Sequence, residues 1–279
     1  MTMTTPLFDI FATPLITVLI MVFAVLFGLF FGSFLNCVGI RIARGENFVK
    51  GRSHCMKCGH DLAAKDLVPV FSWLFLKGKC RYCGEKISGR YPAAEIIMAL
   101  VFVSILLRFN LSLRGIELLV LSCIVMTAAC SDLEDFIIPD RCIIAGIVLR
   151  IIFVVIEGIL TGNWWPSEEG LGVVLNTLIG GASIAVPLLI VVLIMEKVLK
   201  RDAMGGGDIK LVFMLGLFFL WSENIIGILC SCIIGIVFGI LARKKGKVFQ
   251  FGPSIAAGWW IAALAGSIIV DWYMGLMKV

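Results

Sequence analysis

Charge is scarce in this sequence. Of its 279 residues only 15% are Asp, Glu, Lys or Arg, while 60% are hydrophobic. An ordinary soluble chain carries about 25% charged residues and 45–50% apolar ones. With a mean hydropathy of +1.05, the composition excludes an ordinary soluble enzyme and, more firmly, a disordered chain. Other features are missing too. No basic segment precedes the first apolar run and no small-residue cleavage site follows it, so that run reads as a retained helix rather than a signal peptide. No period suggests a soluble repeat. No G-x-G-x-x-G loop marks a dinucleotide-type site. A net charge of +5 is too modest to point to nucleic acid and fits cytoplasmic loops of a membrane protein.

Long apolar runs are abundant. They cover residues 15–38, 93–107, 116–129, 143–160, 171–195, 211–221, 225–241 and 255–270. A helical span needs ~20 apolar residues, so the reading is an all-α polytopic membrane protein of about eight spans. The run at 211–221 is too short to span alone unless it extends back through Gly205; the alternative is a partly buried segment. The expected division is a first span at 1–40, a polar insert at 41–91 and a helical membrane domain at 92–279.

Lys and Arg orient the spans. Eleven of the 24 lie in the stretch 41–90. With eight spans, loops on that same side bring the count to twenty. The positive-inside rule then puts the insert in the cytoplasm and both termini outside. The loop at 163–166, Asn-Trp-Trp-Pro, has no Lys or Arg and fits an external interfacial belt.

The insert contains Cys55-x-x-Cys58 and Cys80-x-x-Cys83, each followed by glycine. Four thiolates so spaced suit tetrahedral Zn²⁺, and a site closed by four sulfurs is structural rather than catalytic. The insert has one sizeable apolar run, 67–76, so metal binding would supply folding energy. The competing reading is two disulfides or redox-active pairs, which a reducing cytoplasm disfavours. His54 and His60 flank the first knuckle and are left out of the ligand set. Cys37, Cys123, Cys130, Cys142, Cys230 and Cys232 sit in or beside apolar runs and read as small hydrophobes.

Ionisable residues at membrane depth are functional candidates. One acidic cluster runs from Asp132 to Asp140 and includes Glu134, Asp135 and Pro139. A second follows glycines 205–207 as Asp208-Ile209-Lys210. Two converging carboxylates in a dry site do not both ionise, so one serves as acid and one as base. Such a pair can activate water and protonate a leaving amine. Spacing leaves other readings open: a solvated loop, a helix N-cap at Asp208, an anion nest or a transport path.

Five motifs in order give the chain its likeness. They are Gly32-Ser33-Phe34-Leu35-Asn36-Cys37-Val38 with Arg41, the cysteine insert, Arg90-Tyr91-Pro92 with Glu95, Asp132 through Ile138-Pro139-Asp140, and Gly205-x-Gly207-Asp208-x-Lys210. Over nearly its whole length the chain resembles the bacterial type IV prepilin peptidases, leader peptidase/N-methyltransferases of the G-x-G-D aspartic type.

The resemblance implies Asp132 and Asp208 as catalytic aspartates. It implies prepilin or pseudopilin substrates, with a short basic leader cut from a hydrophobic helix at the cytoplasmic face of the inner membrane. The basic leader is expected to meet Asp132, Glu134 and Asp135. It further implies N-methylation of the new terminus from S-adenosylmethionine, with Arg90 and Glu95 as the region for the donor. Glu95 would receive the donor's α-amino group or the substrate's new amine; its bland alternative is an ordinary interfacial carboxylate. Two rivals are a peptidase without methyl transfer and a zinc-stabilised transporter using Asp132, Asp208 and Arg150.

Overall fold

The structure, a computed structural model, describes residues 6–47, 51–161, 168–200, 204–244 and 249–277. The loop at 163–166 lies outside the described residues. Two units emerge, Pro6–Glu134 and a second beginning at Asp135.

The first unit opens with β1 (Pro6–Phe8), which pairs antiparallel with β2 (Leu111–Ser112). Helix α1 (Pro14–Ala43) starts where Thr13 caps the Ile16 N–H and Pro14 supplies a ready-made φ. Its 30 residues rise about 45 Å, and it is apolar on all sides, as a membrane span is. The insert follows, with a 3-10 turn at Ala64–Asp66 and a short α2 (Phe71–Phe75). Then come α3 (Arg90–Phe109) and α4 (Leu113–Asp135).

Gly28 and Gly32 let α1 approach α3 backbone to backbone. A Cβ at Gly32 would lie 2.6 Å from Glu95 Cα, and one at Gly28 would strike Ala99. This is the small-xxx-small contact by which helices associate where lipid removes the hydrophobic drive. One helical turn beyond Asn36, Gly39 meets α4 in the same way, its would-be Cβ 2.7 Å from Cys130 Cβ and 2.8 Å from Thr127 O. Leu35, Met98 and Phe102 fill the seam, with Cys123 and Met126 of α4 against them.

The second unit holds α5 (Asp140–Thr161), α6 (Glu168–Leu199), α7 (Gly206–Gly216), α8 (Trp221–Lys244) and α9 (Gly252–Met277). Among the described residues seven helices are long and apolar enough to cross a membrane. Of the eight apolar runs, the one already too short to span alone takes the partly buried alternative. The segment that drops out is α7, whose 11 residues rise only about 16 Å. Its Leu211, Val212, Met214 and Leu215 are buried by protein.

A helix that stops within an apolar surround needs partners for its last carbonyls. Asn224 supplies them. Its Nδ2 donates to Gly216 O at 3.1 Å, Phe219 O at 3.3 Å and Gly180 O of α6 at 2.9 Å. Its Oδ1 accepts from Trp259 Nε1 of α9 at 3.1 Å. One amide thus ties four helices and fixes where α7 ends.

Candidate functional site

Each cysteine knuckle is built on the same turn. Gly59 (φ +70°) and Gly84 (φ +73°) take the left-handed conformation that glycine allows without strain. Their N–H groups donate to Cys55 O (2.8 Å) and Cys80 O (3.0 Å), while the Cys55 and Cys80 N–H groups donate to His60 O (2.9 Å) and Glu85 O (2.8 Å). The two turns bring all four sulfurs within 4.8 Å of one another. Cys55 Sγ and Cys83 Sγ are 3.9 Å apart, close to the ~3.8 Å edge of a tetrahedron with 2.3 Å metal–sulfur bonds. The four can hold a metal ion. Backbone N–H groups of Cys58 and Lys57 point at the Cys55 sulfur and hold its thiol down to about 6, so it is ready to ligate at neutral pH.

Neither histidine joins the sulfur cluster. His60 stacks on Tyr82, ring centroids 3.7 Å apart, and His54 Nδ1 faces Arg52 O at 3.4 Å. Behind the second knuckle, Asp66 accepts from Arg81 Nε (2.6 Å) and the Tyr82 hydroxyl (3.0 Å). Burial raises the Asp66 carboxyl, but these hydrogen bonds outweigh it and hold the group below the usual carboxylate range.

A cavity of about 380 Å³ opens between the insert and the ends of α1 and α3. Ser33, Arg44, Trp73, Tyr91 and Glu95 are among its walls. Glu95 is only 7% exposed. Its Oε2 accepts the Val70 N–H at 2.6 Å, and Ser33 donates to the same carboxylate. Val70 has φ +61°, a rare and costly conformation for a β-branched residue. The strained turn aims its N–H at Glu95. The volume falls within the usual range for small-molecule pockets.

Arg90 sits at the start of α3, but its guanidinium turns to α4 rather than into this cavity. It donates to Glu134 Oε2 (2.8 Å), Cys130 O (2.5 Å) and Leu133 O (3.3 Å). Arg44 takes the other oxygen of Glu134, with Nε at 3.0 Å and Nη2 at 2.5 Å. Two guanidiniums share the Glu134 carboxylate. Sequence reasoning counted Arg44 only as loop charge. Asp132 lies in the last turn of α4, 5% exposed. Next to it, Ser131 is fully buried and its Oγ finds no hydrogen-bond partner; the same holds for Asn36 Oδ1 on α1. Unspent buried polar atoms of this kind are rare in folded proteins.

In the second unit, Asp208 occupies the first turn of α7, the positive end of a helix that favours a carboxylate. Gly205 is extended at the N-cap, and a Cβ there would crowd Asp208 Oδ2 at 3.3 Å. Gly207 packs on Ile138, with 3.1 Å between its would-be Cβ and Ile138 Cβ. Lys210 Nζ pairs with Asp140 Oδ1 at 2.7 Å. The end of the D-x5-I-P-D motif therefore touches the G-x-G-D-x-K motif at two points. Arg150, named in the sequence only for the transporter rival, donates to Thr177 Oγ1 at 3.1 Å and lies over the Phe218 ring.

Comparisons with known proteins agree with this architecture. Residues 26–109 match the bacterial peptidase A24 N-terminal domain, and residues 119–240 match the type IV leader peptidase family. A prepilin leader peptidase/N-methyltransferase of Bacillus subtilis (strain 168) is 30% identical over 87% of this chain and 93% of its own. One from Aeromonas salmonicida (strain A449) is 30% identical over 82% and 76%. One from Myxococcus xanthus (strain DK1622) is 34% identical over 75% of this chain; there the chain spans only 59% of the relative's length. No solved structure matches. Fold and matches together define a multi-pass helical membrane peptidase. The chain belongs to the type IV leader peptidase family, and its bacterial relatives pair peptidase with N-methyltransferase in their names.

Proposed function

We propose that this chain removes the short basic leader of type IV prepilins or pseudopilins at the cytoplasmic face of the bacterial inner membrane, and then N-methylates the new terminus. Asp132 and Asp208 act as the aspartic pair. One carboxylate, ionised, takes a proton from water as that water attacks the scissile carbonyl. The other, protonated, gives its proton to the leaving amine. The two stand in unlike surroundings, Asp132 buried in the last turn of a helix and Asp208 at the start of one. Unlike surroundings let one carboxyl keep its proton while the other gives it up. The observation that carries the reading is the seating of Gly207 and Lys210 on Ile138 and Asp140, in a chain of this family. Asp132 stands six residues before Ile138 in the same motif.

The four cysteines hold Zn²⁺, which fixes the insert. The methyl donor, S-adenosylmethionine, supplies when bound an electrophilic methyl on a sulfonium centre. Glu95 fits this group: a buried carboxylate in a pocket of adequate volume, with Trp73 and Tyr91 in its walls to face a cation. Glu95 holds the amine and receives its proton. Arg90 supports the pocket from behind through its hold on α4. The insert, with 11 of the chain's 24 Lys and Arg in residues 41–90, faces the cytoplasm.

Mass spectrometry of a prepilin co-expressed with wild type, Asp132→Asn or Asp208→Asn tests the assignment, each variant first shown to be inserted. Leader loss with wild type alone, plus one methyl on the mature terminus, is the expected result. Normal cleavage by either variant removes that aspartate from the pair.

A further inference from the structure

We propose that Glu134 is a positioning residue of the peptidase site, and that through it the fold of the cysteine insert controls the rate of cleavage. The inference rests on the assignment of Asp132 above. Arg44 is the residue at which the chain leaves α1 for the insert, and Arg90 is the residue at which it returns to begin α3. Both stems of the insert close on one carboxylate, Glu134, two residues from Asp132 in α4.

The grip extends to the backbone that carries Asp132. The last four carbonyls of a helix have no partner within it. Arg90 donates to one of these, Leu133 O, and also to Cys130 O one turn earlier, and the two bracket Asp132 in sequence. A cation at a helix C-terminus is favourable, and a forked guanidinium fixes direction as well as charge. The other end of the connection reaches the metal knuckle. Arg44 Nη1 lies 3.8 Å from the sulfur of Met56, the residue after Cys55. An unbroken series of contacts thus runs from Met56 to Arg44, Glu134, Arg90 and the last turn of α4. Removing the Glu134 charge leaves two half-buried guanidiniums facing each other without their shared anion. They separate, and the turn holding Asp132 loses its external bonds.

The test is steady-state cleavage of a prepilin by the purified full chain in vesicles. Glu134→Gln is expected to lower kcat by about 10- to 100-fold, the cost of a small misplacement of a reacting group, with KM within twofold. Glu134→Asp and Arg90→Lys, which keep the charges with poorer reach, recover part of the loss. A wild-type kcat in Glu134→Gln overturns the proposal. So does a raised KM with kcat intact, because the carboxylate would then be reading the leader. Coupling to the insert has its own readout. Because Glu134 anchors Arg44, which reaches Met56 beside Cys55, Glu134→Gln is expected to surrender zinc to a chromophoric chelator at lower chelator concentration than wild type. Equal retention overturns the link to the insert. Asp132→Asn serves as the separating control. If it cleaves normally, the catalytic assignment falls and this proposal with it; if it is inactive while Glu134→Gln is normal, this proposal alone falls.

Discussion

Replacing Asn224 by alanine removes the amide that ends α7, and the cost can be worked from its partners. Asn224 and Trp259 are both buried. Gly180 O keeps Ser183 Oγ at 2.7 Å, and Gly216 O keeps the Phe219 N–H at 3.3 Å. Those two carbonyls lose a second bond rather than all bonding. The Trp259 N–H loses its acceptor, Asn224 Oδ1, at roughly 1–3 kcal/mol for an orphaned buried group. With Phe219 O weakened as well, the sum is about 3 kcal/mol. For a chain of this size that corresponds to a drop in Tm of about 6–12 °C. The assay is thermal unfolding of the purified protein in detergent, followed by tryptophan fluorescence. A Tm indistinguishable from wild type refutes the claim that this amide holds the four helices.

Other outcomes follow from the first unit. Glu95→Gln is expected to abolish the methyl mass on the mature pilin while leaving leader removal within about threefold of wild type; loss of both activities together assigns Glu95 to the fold instead. Cys58→Ser is expected to lower bound zinc from about one per chain to near zero, read by elemental analysis, since a structural site rarely survives loss of a thiolate. Retention of one full equivalent rejects the four-sulfur site.

Much of the fold was legible in the sequence because membranes impose simple rules. Apolar length marked out seven of the long helices, and C-x-x-C-G spacing marked the sulfur cluster, since the glycine φ values of the knuckles are local properties. Asp132 and Asp208 were visible as acids at the ends of apolar runs, and the family match covers the segment containing both. What escaped depended on long-range pairing. The run at 211–221 was legible as too short to span, but not how it ends, because nothing local announces that Asn224, Gly180 and Trp259 will satisfy it. Glu134 reads in the sequence as an acid that meets the leader or orients Asp132, but its two arginine partners lie 44 and 90 residues away and nothing local points to them. Arg90 enters with Glu95 as the region for the methyl donor by resemblance; its bonds to Cys130 O and Leu133 O, 40 and 43 residues on, have no local signal.

The Lys210–Asp140 bridge differs in kind from the buried joints of this protein. Its side chains are 56% and 67% exposed. An ion pair in such a setting is worth little more than thermal energy and weakens as salt rises. Rising salt therefore loosens the contact beside Asp208 first, leaving Gly207 on Ile138 as the packing there. The buried bonds of Asn224 at the far end of α7 are indifferent to salt, so ionic strength acts on one end of this short helix and not on the other.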